Sequence, residues 1–129
     1  MKKLLILLFS ILISFNSYGE WKYIDKNSKG TVYYINKDTF REHNGFVYWW
    51  DLSDFLVPLE DTGGVMSTKM YHQGDCGVMR YKNLSYIHYF QPMGNGENAT
   101  STPSNPEWIY ANPEGVAYYV LEEVCKHFK

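Results

Sequence analysis

The most regular hydrophobic pattern in the chain lies at its C-terminus, in residues 112–129. Apolar side chains recur there at intervals of three and four, and most charged side chains fall on the opposite side of a helical projection. This spacing is typical of an amphipathic helix that covers another surface. Asn112 is predicted to cap the helix and Pro113 to occupy its first position. The apolar positions are Ala117, Val120, Leu121, Val124, Cys125 and Phe128.

The chain between the N-terminal segment and this helix is predicted to form β-strands. Stretches rich in aromatic and β-branched residues alternate with turns that contain glycine, asparagine or proline. Residues 46–55 carry large apolar side chains on both faces, as expected of a central strand covered on one side by the helix. The predicted strands are residues 21–25, 31–36, 46–55, 65–72, 78–91 and 97–102. Strands followed by one terminal helix predict an α+β domain with an antiparallel sheet.

Residues 1–19 are predicted to be a signal peptide and no part of the folded domain. Two lysines precede an apolar run at 4–15, which is too short to cross a bilayer. Small residues, Ser17 and Gly19, stand just before the predicted cleavage site. The sequence therefore predicts an exported chain with a single domain at 20–129, without a cysteine after the cut that could carry lipid and without a transmembrane segment.

The chain contains two cysteines, Cys76 and Cys125. In an exported protein such a pair is more often a structural disulfide than a catalytic or metal-bound pair. We expect the two to be bonded and to clamp the helix onto the sheet. His72 precedes Cys76 at a spacing that a metal site would allow, but a disulfide would consume that thiol.

Charge and motifs favour no enzymatic or nucleic-acid-binding class. The formal net charge is −2, or about −4 without the two lysines of the signal peptide, and the charges are dispersed. The four histidines lack metalloprotease spacing, and no nucleophile elbow is present. Asp51 and Asp54 would point to opposite faces of one strand, which argues against an acid/base pair. The sequence therefore predicts no catalytic residue, no cofactor and no metal.

Tyrosine and tryptophan are more abundant than one small core normally needs. The chain has twelve tyrosines and four tryptophans, and both types are favoured where proteins meet. The alternative is that these rings fill the space between helix and sheet. From the outward faces of the second, third and fourth predicted strands we select Tyr34, Trp49 and Tyr71 as candidate binding residues.

The order of several short motifs resembles the surface-adhesin protein E family of Gram-negative bacteria. The motifs are Trp21, the Tyr33–Asn36 stretch, Trp50-Asp51, Ser67-x-Lys69 ahead of Cys76, Arg80, the 94–97 turn, Trp108 and the helix with Cys125. The resemblance spans nearly all of residues 20–129. It implies an antiparallel sheet of about six strands, with the C-terminal helix held on its concave side by a bond between the two cysteines.

The same resemblance implies binding of host matrix and serum proteins, and dimerisation, as in the founding member of the family. That member is a lipoprotein, whereas this chain lacks the lipidated cysteine, so periplasmic, cell-surface and secreted locations stay open. Three functions follow. The first is a non-enzymatic, adhesin-like module that binds a protein. The second is a periplasmic envelope protein that binds or inhibits another bacterial protein. The third is a small hydrolase.

Overall fold

The structure, a computed structural model, describes residues 21–129, so the predicted signal peptide lies outside the described residues. Within this range, eight strands form one antiparallel sheet and one α-helix follows them. The strands are β1 (Lys22–Lys26), β2 (Val32–Ile35), β3 (Arg41–His43), β4 (Phe46–Asp54), β5 (Ser67–Asp75), β6 (Arg80–Tyr89), β7 (Asn98–Ser101) and β8 (Ile109–Tyr110). The helix, α1, spans Val116–His127. The expected α+β fold is confirmed.

The sheet is built around strand β4, as predicted. The main order of strands is β1-β2-β4-β5-β6-β7, and each neighbouring pair is antiparallel. Strand β3 pairs with the start of β4, and β8 pairs with the start of β6. These two additional strands were not predicted, because one is short and polar and the other contains only two residues.

Strand β5 continues through Gly74 to Asp75, whereas the predicted strand ends at residue 72. A Cβ atom at Gly74 would lie 2.6 Å from Leu121 Cδ1 and 2.8 Å from Trp49 Cζ3. The predicted end of the strand before this glycine is therefore wrong. Glycine is needed inside the strand, because only a residue without a side chain lets the helix approach this closely.

Strand β6 contains a β-bulge that the sequence did not predict. Tyr71 of β5 pairs with Ser85, whereas the next residue, His72, pairs with Asn83. Leu84 is therefore the extra residue. This extra residue reverses which face the odd and even positions of the strand occupy, so the alternation changes at Leu84.

Helix α1 begins later than predicted. The Asn112 side chain accepts a hydrogen bond of 3.1 Å from the Glu114 backbone, and the Asn112 carbonyl accepts one of 2.8 Å from Gly115. Gly115 is the N-cap in an extended conformation. The prediction that Asn112 caps the helix is therefore wrong. Asn112 closes a separate turn, and glycine, a poor helix former, separates that turn from the helix.

The hydrophobic core lies between α1 and one face of the sheet, which we call the inner face; the opposite side is the outer face. The buried core residues are Ile35, Phe40, Val47, Trp49, Val120, Leu121, Val124 and Cys125. Cys76 and Cys125 are bonded, as predicted, and the bond joins the end of β5 to α1. Across residues 21–129, no helix has the length and apolar character needed to cross a bilayer.

We expect the disulfide to be the largest single contribution to the stability of this domain. Replacing both cysteines with alanine opens a loop with a sequence separation of 49 residues. The chain-entropy model gives a loss of about 4 kcal/mol in the free energy of unfolding. Urea denaturation of the variant measures this loss, and reduction of the wild-type domain should reproduce it. Equal stability of oxidised, reduced and substituted protein would contradict the clamp.

Candidate functional site

The structure brings two of the three candidate binding residues onto the outer face. Tyr34 and Tyr71 both lie there, and Tyr71 pairs with Trp50. Trp49 lies on the inner face, where it is 2% exposed. The prediction that Trp49 points outward is wrong. It shares a face with Val47 because side chains alternate along a strand, and the helix covers that face.

Tyr71 belongs to a group of stacked rings on the outer face. Its ring centroid lies 5.0 Å from that of Trp50 and 6.1 Å from that of Tyr48. Gln73 Nε2 donates a hydrogen bond of 3.1 Å to the Tyr48 hydroxyl. Burial raises the pKa of Tyr71, Tyr48 raises it further, and the charge of Arg41 opposes both effects. We call Tyr48, Trp50 and Tyr71 the outer aromatic cluster; all three rings are half-buried and lie on the side that the helix leaves uncovered.

Two depressions lie on the outer face, one on each side of Trp50. The first, the Lys69 depression, has a volume of about 290 Å³. The second, the Arg41 depression, has a volume of about 340 Å³. Thr39 lines both, and its hydroxyl accepts a hydrogen bond of 3.1 Å from the Trp50 backbone. The first is lined by Trp21, Asn36, Thr39, Trp50, Lys69, Ile87 and Tyr89, and the second by Asp38, Thr39, Arg41, Trp50 and Tyr71.

A further aromatic and basic group lies on the outer face where β6 begins. The Arg80 guanidinium lies 4.3 Å from the centroid of Trp108, and Lys82 Nζ lies 4.6 Å from the same ring. Arg80 also pairs with Asp75 at 3.0 Å. Cations over aromatic faces are stabilised by the quadrupole of the ring. The outer face therefore combines exposed ring surface with positive charge.

Sequence reasoning selected Trp49 where its neighbour Trp50 is the outward ring, and it missed Lys69 and Arg41. The alternation along β4 shows that Trp49 and Trp50 point to opposite faces. A decision between them needed knowledge of which face the helix covers. No local signal marks the two cations, since lysine and arginine on a strand normally face solvent.

The inner face carries a second candidate, a cavity of about 490 Å³ between the sheet and the start of α1. His72 Nε2 lies 2.7 Å from Asp51 Oδ2, and Trp49 Nε1 donates a hydrogen bond of 3.3 Å to the same oxygen. The His72 ring stacks on Trp49 at 4.9 Å. The lining residues are Tyr33, Asp51, Met70, His72, Tyr81, Asn83, Ile109, Tyr110, Asn112, Gly115, Val116, Ala117 and Val120.

An aspartate–histidine pair at the edge of a cavity is the arrangement that a general base would use. The residues that line this cavity include no serine, threonine or cysteine, so a covalent intermediate on such a side chain has no candidate among them. Burial, followed by the charge of Asp51 and by Tyr86, raises the pKa of Tyr81. A phenol with a raised pKa is a poorer nucleophile at neutral pH.

Four polar atoms of this region, Asp51 Oδ1, His72 Nδ1, His72 Nε2 and Asn83 Oδ1, are buried without a hydrogen-bond partner among residues 21–129. The 2.7 Å contact between His72 Nε2 and Asp51 Oδ2 is thus an ion-pair distance without hydrogen-bond geometry. Each such atom costs roughly 1–3 kcal/mol where no water reaches it. In the same part of the chain, no three histidine, cysteine or acidic side chains come together as metal ligands would. The inner cavity is therefore a polar region at the edge of the core.

The fold and the position of the bonded cysteines define a class of protein. The family model described as "Surface-adhesin protein E" matches residues 21–126. The chain belongs to this family, and the resemblance inferred from the sequence is confirmed.

Solved structures with the same fold come from Haemophilus influenzae. The chain is similar to protein E in crystal form II, with a TM-score of 0.66 and 17% identity over 82% of this chain and 88% of that one. It is also similar to another protein E structure from the same organism, with a TM-score of 0.63 and 16% identity over 85% and 86% of the two chains. At this identity the likeness shows the fold. Among curated proteins, none matches the chain.

The raised pKa of Tyr81 predicts a loss of stability in alkali. The folded state retains the Tyr81 proton where an unfolded tyrosine, with a pKa of 10.0, has lost it. The unfolded state then binds fewer protons, so stability is complete below that pH and falls as the pH rises towards the folded pKa. Tyr81→Phe removes the contribution of this hydroxyl to the pH dependence. The free energy of unfolding of the variant should therefore fall less steeply above pH 10. Urea denaturation across this range measures the slope.

Tyr119→Phe, which changes an exposed tyrosine on α1, is the control and should keep the wild-type slope. If Tyr81→Phe loses stability in alkali as steeply as the wild type and this control, the environment assigned to Tyr81 is wrong.

Proposed function

We propose that residues 20–129 form a non-enzymatic module that binds a protein through the outer face of the sheet. The observation that carries this proposal is the outer aromatic cluster, Tyr48, Trp50 and Tyr71. These rings stack on one another on the face that α1 leaves uncovered. Stacking limits the freedom of each ring, so little conformational entropy is lost when a partner covers them.

The chemistry of the face matches that of interface cores. Tyrosine, tryptophan and arginine are the residue types that supply most binding energy at protein interfaces. The cluster lies beside two depressions, and each is large enough to receive a side chain of a partner. A standard interface covers about 800 Å² on each partner, which is within the reach of one face of such a sheet.

Family membership supports a host protein of the matrix or serum as the partner, with the module exported and displayed or released. A second candidate is a periplasmic protein that binds or inhibits another bacterial protein. Cell fractionation separates the two, since a protein confined to the periplasm does not meet a host. Self-association through the outer face is a further form of the same activity.

Tyr71→Ala tests this function. We expect the affinity for the partner to fall by roughly fivefold or more, because the partner loses its contact with a central ring of the cluster. The stability should fall by about 1 kcal/mol or less, since Tyr71 lies outside the core. Equilibrium binding to immobilised matrix and serum proteins, and to envelope extract, measures the first quantity, and thermal unfolding measures the second. Sedimentation of the free variant detects any loss of self-association.

Tyr119→Ala is the matched control, because it removes an exposed tyrosine from α1 on the other side of the domain. It should leave both affinity and stability close to those of the wild type. If Tyr71→Ala lowers the melting temperature strongly and leaves binding unchanged, the outer cluster is a structural element and the proposed function is wrong.

A further inference from the structure

The Lys69 depression contains a positively charged group in a defined position. Lys69 Nζ lies 5.6 Å from the ring centroid of Trp21 and 5.1 Å from that of Tyr89. Trp50 lines the same depression. The ammonium group therefore lies among three aromatic side chains, where rings exclude part of the surrounding water and strengthen any charge–charge contact.

The turn at residues 92–94 holds the stem of this lysine in place. Gly94 has a φ of +68°, and a Cβ atom there would lie 2.8 Å from Lys69 Cε. The buried Ser67 hydroxyl accepts a hydrogen bond of 2.8 Å from the Gly94 backbone and donates one of 2.6 Å to the Gln91 carbonyl. Asp54 accepts another of 2.8 Å from the Met93 backbone. The turn is thus fixed to the sheet, and the lysine is ordered before any ligand arrives.

This ammonium forms no ion pair with a carboxylate among residues 21–129. The salt bridges in this range involve other cations. Lys82 and Arg41 share the outer face through their pairing with Gln73 and Tyr48. A chain with a net charge of −2 therefore presents unneutralised positive charge on the face that carries the exposed rings. Charge complementarity favours an acidic ligand on this face.

A second cation, Arg41, lies in the neighbouring depression on the other side of Trp50. Lys69, on β5, pairs with Leu52, and Arg41, on β3, pairs with Tyr48, so the two cations lie on opposite sides of β4 and four positions apart along it. Four positions span about 13 Å along a strand, and two strand spacings add about 10 Å across it. Asp38 lines the Arg41 depression, and its negative charge repels any carboxylate of a ligand there. The Lys69 depression has no such carboxylate in its lining, so it is the stronger anion site.

We propose that the Lys69 depression binds the carboxylate of an acidic side chain in an extended segment of the partner protein, with Trp50 packing against the adjacent part of that segment. The inference rests on the proposed function and specifies what the outer face recognises. The volume of the Lys69 depression, about 290 Å³, suits one side chain, and the second depression on the other side of Trp50 suits a further residue of an extended chain.

The test uses a synthetic extended peptide of valine, threonine and tyrosine with two glutamates four residues apart, and the same peptide with glutamines. Equilibrium titration followed by backbone NMR shifts gives affinity and location together. The wild-type domain should bind the glutamate peptide at least roughly fivefold more tightly, with the largest shifts at Lys69 and Trp50. Lys69→Gln should remove this difference. Lys69→Met should do the same while keeping the stem packed under Gly94.

Lys126→Gln is the control for the loss of one positive charge, because Lys126 is an exposed lysine of α1 on the other side of the domain. It should change the affinity for neither peptide by more than about twofold. The proposal is overturned if the wild type binds neither peptide, if the two peptides bind equally, or if the Lys69 and Lys126 variants behave alike. Sodium glucuronate that displaces the glutamate peptide at equal concentration would assign the depression to a sugar acid and overturn it also.

Partner binding separates this inference from the proposed function. If Tyr71→Ala lowers the affinity for the partner and Lys69→Gln does not, the outer face still binds a protein, but not through an acidic side chain at this depression. If neither variant lowers the affinity for the partner, both proposals fail.

Discussion

The close packing of helix α1 against strand β5 determines which side of the sheet is available for function. Leu121 and Trp49 meet over Gly74, where a single additional carbon atom would collide with both. The disulfide between Cys76 and Cys125 fixes the helix just beyond this contact. Because one helix can cover only one face of a single sheet, the outer face is covered only in part, by the turn at 92–94, and its rings and charges around Trp50 remain accessible.

The two faces of the sheet differ in whether their polar groups are buried or accessible to a partner. On the inner face, Asp51 and His72 pair within the core and leave several buried polar atoms without partners, which lowers stability. On the outer face, Lys69 is held between rings with its charge unneutralised by the described residues. The first arrangement is almost fully buried, whereas the second offers a charged group and ring surface to a partner. This contrast is the physical reason for placing function on the outer face.

The periodicity of the sequence predicted the fold because the elements that matter are long and regular. The stripe of α1 and the central strand β4 follow from local spacing, and the cysteine pair follows from the presence of only two cysteines in the chain. The assignment of Trp49 failed because both faces of β4 carry large apolar residues, so the alternation cannot show which face the helix covers. The bulge at Leu84 depends on the partner strand and leaves no local signal. Lys69 depends on a distant turn at 92–94, which orders a side chain that the sequence alone places in solvent.

The central claim is that Trp49 and Trp50, adjacent in sequence, divide into one core ring and one binding ring. Labelling the four tryptophans with 5-fluorotryptophan gives each its own fluorine resonance, assigned by single substitutions. A soluble paramagnetic agent should broaden the Trp50 resonance and leave that of Trp49 sharp. Addition of the partner should then protect Trp50 and leave the resonance of Trp49 unchanged. Equal broadening of the two resonances, or broadening of Trp49 in preference to Trp50, would contradict the account.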